Sequence, residues 1–147
     1  MQKIIYTIDE LNKAVRELLV RVTSKTLSFY GEMGSGKTSL IKGIVRELGG
    51  GDQANSPTFG IVNQYQDKNG ELLGYHFDFY RLTSEEEGLD LGLEDYFSQD
   101  TWFFIEWPEK IGSLLPENST KIMLRVIDPV TRSIEILNTD RIESNSK

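Results

Sequence analysis

A glycine-rich segment followed by lysine and threonine is the clearest chemical signal in the sequence. Residues 31–38, GEMGSGKT, match the pattern G-x-x-x-x-G-K-[ST]. The glycines of this motif let the backbone approach an anion, and the loop N–H groups point at phosphate oxygens. Lys37 is expected to reach the β- and γ-phosphates, and the Thr38 hydroxyl is expected to bind Mg²⁺. The residues predicted to contact the nucleotide are Met33, Gly34, Ser35, Gly36, Lys37, Thr38 and Ser39.

Two acidic residues are candidates for the other half of a triphosphate site. Glu106 directly follows the apolar run 102–105, WFFI, which is typical of a strand buried on both faces. Ligands of an open α/β sheet collect at the carboxyl ends of its strands, so Glu106 is predicted to hold Mg²⁺ directly or through water. Asp78 alternates with aromatic residues in the segment 75–81, YHFDFYR, and is predicted to serve the metal or orient the attacking water.

Four further residues have two open interpretations each. Thr58, in the segment SPTF, lies where switch-type hydrolases place a threonine that closes on the γ-phosphate, but a Ser-Pro turn explains it equally well. His76 is either a base or, preferably, a structural hydrogen-bonding partner. Arg81 either neutralises transferred charge or pairs with nearby acids. Trp107 either packs over the site or belongs to the core.

The surrounding pattern predicts the elements that position these side chains. A capping box at Thr7 and Glu10 precedes apolar residues at helical spacing. Asn69-Gly70 is a strong hairpin-turn signal between two strand-like segments. We expect one α/β domain over residues 1–147, with a polar tail from 138 to 147 that frays. The predicted helices are 11–22 and 37–48, and the predicted strands are 26–30, 59–66, 71–80, 102–105, 122–127 and 133–137.

Composition and charge exclude several classes of protein. The chain has no cysteine and one histidine, which excludes a disulfide scaffold, a thiol nucleophile and a Cys- or His-rich zinc site. No apolar stretch is long enough for a membrane span, and the N-terminus does not resemble a signal peptide, so we expect a cytoplasmic protein with no membrane partner.

The acidic excess is confined to one segment. Residues 84–100 contain seven acids and no basic residue, whereas the rest of the chain has 16 of each sign, from 16 Lys and Arg against 23 Asp and Glu in total. This balance argues against strong independent binding of nucleic acid, which needs a basic surface. The segment is either a solvated helix face or a docking surface for a basic partner.

The motifs together resemble the bacterial TsaE family, also called YjeE. The matching segments, in order, are GEMGSGKTSL, SPTFGIVNQY, YHFDFYRL, LGLEDYF and FIEWPEK, and the resemblance extends from Thr7 to Leu137. It implies a P-loop NTPase-like three-layer fold, with a mixed central sheet flanked by helices, that uses ATP and Mg²⁺. It also implies an ATPase required for the threonylcarbamoyladenosine modification of tRNA, which works with the TsaD–TsaB complex and meets tRNA only through that complex.

The same resemblance implies roles for individual positions. The family's functional residues correspond here to Lys37, Thr38, Thr58, Asp78 and Glu106. The family's usual aspartate and leucine after the first loop glycine are Glu32 and Met33, at positions that contribute backbone to the phosphate cradle.

Other functions remain as alternatives at this level. A small-molecule kinase needs an acceptor domain and an arginine-bearing lid, for which the chain leaves little room. A GTPase is disfavoured because the D-x-x-G match at 67–70 is a hairpin tip and no N-K-x-D occurs. A non-catalytic nucleotide-binding module stays open. No arginine is clearly placed to stabilise the transition state, so intrinsic turnover is expected to be slow.

Overall fold

The part of the chain that the structure describes folds around one eight-stranded sheet. The structure is a computed structural model, and it describes residues 2–51, 55–58 and 60–139. The strands are β1 (Gln2–Thr7), β2 (Thr26–Tyr30), β3 (Asn55–Thr58), β4 (Val62–Gln66), β5 (Leu72–Asp78), β6 (Trp102–Glu106), β7 (Thr120–Asp128) and β8 (Thr131–Asn138). The α-helices are α1 (Leu11–Arg21), α2 (Lys37–Glu47), α3 (Glu85–Asp90) and α4 (Leu93–Phe97), and three short 3₁₀ helices cover Ile8–Glu10, Pro108–Lys110 and Gly112–Leu114.

The centre of the sheet is parallel and its flanks are antiparallel. The strand order is β1-β8-β7-β2-β6-β5-β4-β3, with β2 parallel to both β6 and β7, and β5 parallel to β6. In this register Phe29 lies opposite Glu106, and Asp78 lies opposite Glu106 on the other side. Parallel strands end at the same edge of a sheet, so the start of the glycine-rich loop and both predicted acids meet there.

Two apolar clusters, one on each face of the sheet, hold the helices. One cluster joins α1 and α2 to Leu27, Phe29 and Phe104. The other joins α4 to Phe77, Phe103 and Ile105. The alternation along β6, with Phe104 on one face and its neighbours on the other, shows that this strand is buried on both faces, as its uninterrupted apolar sequence predicts.

The architecture confirms the predicted mixed α/β sheet flanked by helices. Two strands were not predicted. Residues 2–7 carry no predicted element, yet Ile4 and Tyr6 are buried while Ile5 is exposed, which is the alternation of an edge strand with one covered face. The segment 55–58, interpreted from sequence as a turn or a switch, forms edge strand β3 against β4.

The end of the chain also differs from expectation. Asn138, predicted to begin the polar tail, belongs to β8, and its side chain accepts a hydrogen bond from Thr120 Oγ1 (2.7 Å) and donates one to the Arg21 carbonyl (3.0 Å). Residues 140–147 of the tail lie outside the described residues. Within the described ranges, every helix is too short or too polar to cross a bilayer.

The close approach of β5 to β6 gives a test of this packing. A Cβ at Gly74 would lie 2.6 Å from the Trp102 carbonyl oxygen, so Gly74→Ala must push apart the two strands that carry the acids. We expect a loss of about 1–3 kcal/mol in the free energy of unfolding, the usual effect of overpacking, measured by urea denaturation. Gly51→Ala is the control, because its Cβ would meet nothing within 4 Å, and its stability should change by less than about 0.5 kcal/mol. A Gly74→Ala protein as stable as the control would contradict the packing described.

Candidate functional site

The glycine-rich loop connects the end of β2 to the N-terminus of α2. Gly36 precedes the first turn of α2 with φ of 103°, a left-handed conformation that an L side chain rarely adopts. The loop therefore turns directly into an 11-residue helix whose first N–H groups have no partner within the helix. Such a helix end favours an anion.

The interior of the loop is a tight cradle with a free hydroxyl. A Cβ at Gly31 would lie 2.7 Å from the Leu124 carbonyl oxygen and 2.9 Å from Ser35 Oγ, so only glycine fits there. Ser35 is buried, and its Oγ finds no hydrogen-bond partner among the residues that the structure describes. A buried hydroxyl without a partner is unfavourable unless a ligand satisfies it. This observation fits a phosphate oxygen as the occupant of the cradle.

Lys37 bends back over the loop that precedes it. Its Nζ donates a hydrogen bond to the Gly31 carbonyl (2.5 Å) and lies 3.9 Å from the centroid of the Trp107 ring. Burial lowers the pKa of Lys37 below its ordinary value, while the nearby carboxylates of Glu106, Glu109 and Asp78 oppose that shift. The ammonium group therefore lies in a poorly solvated position where an anionic ligand would stabilise its charge.

Glu106 links the loop helix to the neighbouring strand. Its carboxylate accepts a hydrogen bond from Thr38 Oγ1 (3.0 Å to Oε2) and contacts His76 Nε2 at 2.7 Å. Both the His76 and the Glu106 side chains are almost completely buried, at 6% and 5% exposed. Glu106 is therefore a buried carboxylate held by two partners, and not a solvated residue at the end of a strand.

Opposing effects determine the charge state of Glu106. Burial by itself raises the pKa of this carboxyl group. The hydrogen bonds from His76 and Thr38, together with electrostatic attraction to His76 and Lys37, outweigh burial and leave the pKa of Glu106 below its ordinary value. Glu106 is thus kept as a carboxylate beside a threonine hydroxyl, a pair of oxygen donors suited to a hard divalent cation.

Lys37, Thr38 and Glu106 line one cleft of about 400 Å³. Asp78 is exposed at its rim, where Oδ1 accepts a hydrogen bond from the Tyr80 backbone N–H (3.1 Å). The residues lining the cleft are Met33, Gly34, Gly36, Lys37, Thr38, Ser39, Asp78, Tyr80, Glu106 and Trp107. The structure therefore brings together all the predicted nucleotide contacts except Ser35, which lies buried in the loop itself, together with both predicted acids.

Trp107 lies over the site rather than in the core alone. Its φ of 57° makes it the one non-glycine residue in the described ranges with a left-handed backbone. Such a conformation stores strain, and strained residues are often found at functional sites. Its ring also packs against Tyr80, with centroids 5.1 Å apart, so it forms one wall of the cleft.

Two other predicted residues are not gathered into the cleft. Thr58 ends β3, and its side chain lies outside the described residues, so its predicted contact with the γ-phosphate stays a prediction. Arg81 is exposed beside a separate cavity that it shares with Asp78 and Tyr80, and it forms no ion pair within the described parts of the chain.

The acidic segment 84–100 is helical in part, and some of its charges have partners within the protein. Glu85 accepts a hydrogen bond from Ser113 Oγ (2.7 Å), and Glu87 accepts one from the Thr83 backbone N–H (2.6 Å). These contacts tie α3 to its surroundings. The docking role of the segment stays a prediction.

Two contacts of the site have no signal in the local sequence. The contact between His76 and Glu106 depends on the pairing of β5 with β6. Arg132 Nε donates a hydrogen bond to the carbonyl of Ser35 (3.2 Å), a residue 97 positions earlier. Neither pair can be found from spacing, because strand order alone brings the partners together.

The donors present determine which metal the site suits. Among the described residues, no three or more His, Cys, Asp or Glu side chains are grouped to hold an ion by themselves. Mg²⁺ does not need such a cage, because it is usually bound by one or two protein oxygens together with substrate phosphates and water. Thr38 and Glu106 fit that requirement.

Comparison with known proteins gives consistent matches over most of the chain. Residues 5–134 match the family model described as "Threonylcarbamoyl adenosine biosynthesis protein TsaE". A TsaE protein of Haemophilus influenzae is 33% identical over 143 residues, which cover 95% of this chain and 89% of that protein. A TsaE protein of Bacillus subtilis is 36% identical over 118 residues, or 79% of this chain and 72% of that protein.

The fold agrees with these sequence matches. The crystal structure of Bacillus subtilis YdiB superposes with a TM-score of 0.71 at 28% sequence identity, over 94% of this chain and 85% of that one. Sequence and fold lead to the same conclusion: the chain belongs to the TsaE family of threonylcarbamoyl adenosine biosynthesis proteins.

Proposed function

We propose that this protein binds ATP with Mg²⁺ in the cleft between the loop and Glu106 and hydrolyses it during threonylcarbamoyladenosine modification of tRNA. The observation that carries this proposal is the convergence of the glycine-rich loop, a buried lysine and an ionised carboxylate on one cleft. Membership of the TsaE family supports the tRNA pathway, and family resemblance supports the TsaD–TsaB complex as the partner.

The chain's own groups suit phosphoryl transfer, which depends mainly on positioning and charge stabilisation. The loop N–H groups and Ser35 Oγ would bind the phosphate oxygens, and Lys37 would exchange its contact with the Gly31 carbonyl for the β- and γ-phosphates. Because the site is partly desolvated, these interactions are stronger than they would be in water.

The two carboxylates would have different roles, one in metal binding and one in orienting water. Glu106, held in place by His76, would receive the metal together with Thr38. When bound, Mg²⁺ would neutralise phosphate charge and polarise the phosphorus–oxygen bonds. Asp78, exposed at the rim of the cleft, would orient the water that attacks the γ-phosphorus as ADP leaves.

Fast hydrolases of this kind use an arginine that stabilises the charge of the transition state. No arginine is among the described residues that line the cleft. An arginine supplied by a partner can accelerate such hydrolysis by several orders of magnitude. We therefore propose slow intrinsic turnover that rises when the partner complex binds.

Lysine removal tests the binding part of the proposal. Lys37→Ala removes the principal phosphate cation and should weaken ATP binding at least about 100-fold, roughly 2.8 kcal/mol, in a calorimetric titration. Lys42→Ala is the matched control, because Lys42 is exposed on the same helix. This variant should bind ATP with the affinity of the unmodified protein. Equal ATP affinity in both variants would reject the assignment of the loop.

Carboxylate variants test the catalytic part. Glu106→Gln and Asp78→Asn each keep the shape of the side chain but remove its charge, and each should lower kcat by about 100-fold. ATP affinity should change by only about threefold, because the loop still holds the phosphates. Asp95→Asn, on the exposed face of α4, serves as the control for loss of one negative charge. Equal losses of binding and turnover would contradict the assigned roles.

Partner stimulation tests the biological setting. Hydrolysis of γ-labelled ATP is measured with and without the TsaD–TsaB complex and tRNA, and the complex should raise the rate at least about tenfold. The same mixture with Lys37→Ala shows which part of the hydrolysis belongs to this chain. Label that appears on a small acceptor, instead of as free phosphate, would indicate a kinase, and an unchanged rate would reject the partner.

A further inference from the structure

Arg132 contacts the phosphate loop but is not among the residues that line the cleft. It belongs to β8, where it pairs with Tyr6 of β1 and Val126 of β7. Its Nε donates to the Ser35 carbonyl at 3.2 Å. One terminal nitrogen donates to two carbonyls of its own hairpin, those of Asp128 (2.9 Å) and Thr131 (3.1 Å). The guanidinium group is therefore anchored on the hairpin through one terminal nitrogen and reaches the loop with its Nε–H.

The contact determines the direction of a loop N–H group. A peptide unit is planar and trans, so its C=O and N–H point in opposite directions. The Ser35 carbonyl and the Gly36 N–H belong to one such unit. Because Arg132 holds the carbonyl towards the hairpin, the Gly36 N–H must point the other way, towards the side on which Gly36 lines the cleft.

The Ser35–Gly36 peptide unit can flip easily unless a contact restrains it. Gly36 has φ of 103°, and glycine moves between left- and right-handed conformations with little steric resistance. A flipped Ser35–Gly36 unit would turn a carbonyl oxygen towards the anion and repel it. A hydrogen bond from a charged donor is stronger than one between neutral groups and disfavours the flip.

Arg132 also contributes a permanent positive charge. An arginine side chain stays protonated at any physiological pH. Three backbone carbonyls hold the Arg132 guanidinium group beside the loop. Its charge therefore adds to the partial positive charge at the N-terminus of α2. Both effects favour an anion in the cradle.

We propose that Arg132 is a positioning residue for phosphate binding. It orients the Ser35–Gly36 peptide for the nucleotide's phosphates without touching them. This inference rests on the proposed function, because the anion it serves is the phosphate chain of the nucleotide.

Binding measurements on two variants test the inference. Arg132→Met removes the donor and the charge, and it should weaken binding of both Mg-ADP and Mg-ATP at least about tenfold, or ~1.4 kcal/mol, while kcat at saturating ATP changes little. Arg132→Lys keeps the positive charge, but a lysine cannot reach the loop and both hairpin carbonyls together. Its affinity for the two nucleotides should therefore lie between those of the unmodified protein and Arg132→Met. Arg21→Met is the control, since it removes one positive charge from an ion pair with Glu17 at the end of α1.

A spectroscopic readout separates orientation of the peptide from general stability. The backbone amide resonance of Gly36 in the nucleotide-free protein should shift or broaden in Arg132→Met and stay unchanged in Arg21→Met. If Arg132→Met does not fold, nucleotide affinity and the Gly36 resonance are measured on Arg132→Lys instead. Wild-type affinity in a folded Arg132 variant, or an unchanged Gly36 resonance, would overturn the inference. Failure of the unmodified protein to bind ATP would instead reject the proposed function.

Discussion

The parallel pairing of β2 with β6 is the constraint on which the site depends. It places Phe29, the next-to-last residue of β2, opposite Glu106, the last residue of β6. The glycine-rich loop and the acid are far apart in sequence, yet this register brings Thr38 Oγ1 within 3.0 Å of the Glu106 carboxylate. Apolar residues on both faces of β6 hold the register, because a slip by one residue would turn its aromatic side chains to the wrong faces.

The charged side chains of the cleft have hydrogen-bonding partners within the protein. Lys37 is bound to the Gly31 carbonyl and lies against Trp107, and Glu106 is bound to Thr38 and His76. A buried charge without partners is strongly unfavourable, so these contacts stabilise the site as it stands. A triphosphate would have to replace the contacts of Lys37 with better ones. The net affinity is then the difference between two sets of interactions, and it is smaller than the list of new contacts suggests.

Local patterns in the sequence were enough to predict the loop, both acids and most of the strands. The loop motif is contiguous, and Glu106 ends an apolar run whose burial on both faces needs no knowledge of its neighbours. The alternation of Asp78 with aromatic residues likewise needs only the period of a strand. In each case one segment of chain carries the whole signal.

The rest depends on how distant segments meet. The contact of His76 with Glu106 requires the pairing of β5 with β6, and the contact of Arg132 with Ser35 requires the closing hairpin to lie beside β2. The edge strands were missed for a related reason. β1 pairs with β8, at the opposite end of the sequence, and β3 contains Pro57, which argues against a strand except at an edge.

Edge strand β3 has a consequence for how copies of this protein behave in solution. An open sheet exposes unpaired backbone groups at its margins, and these can recruit a strand from another molecule. β3 is only four residues long, its pairing with β4 is irregular, and Pro57 has no N–H to donate. This margin is therefore a poor template for intermolecular strand addition, and the half of the sheet that carries Asp78 is protected against aggregation through that edge.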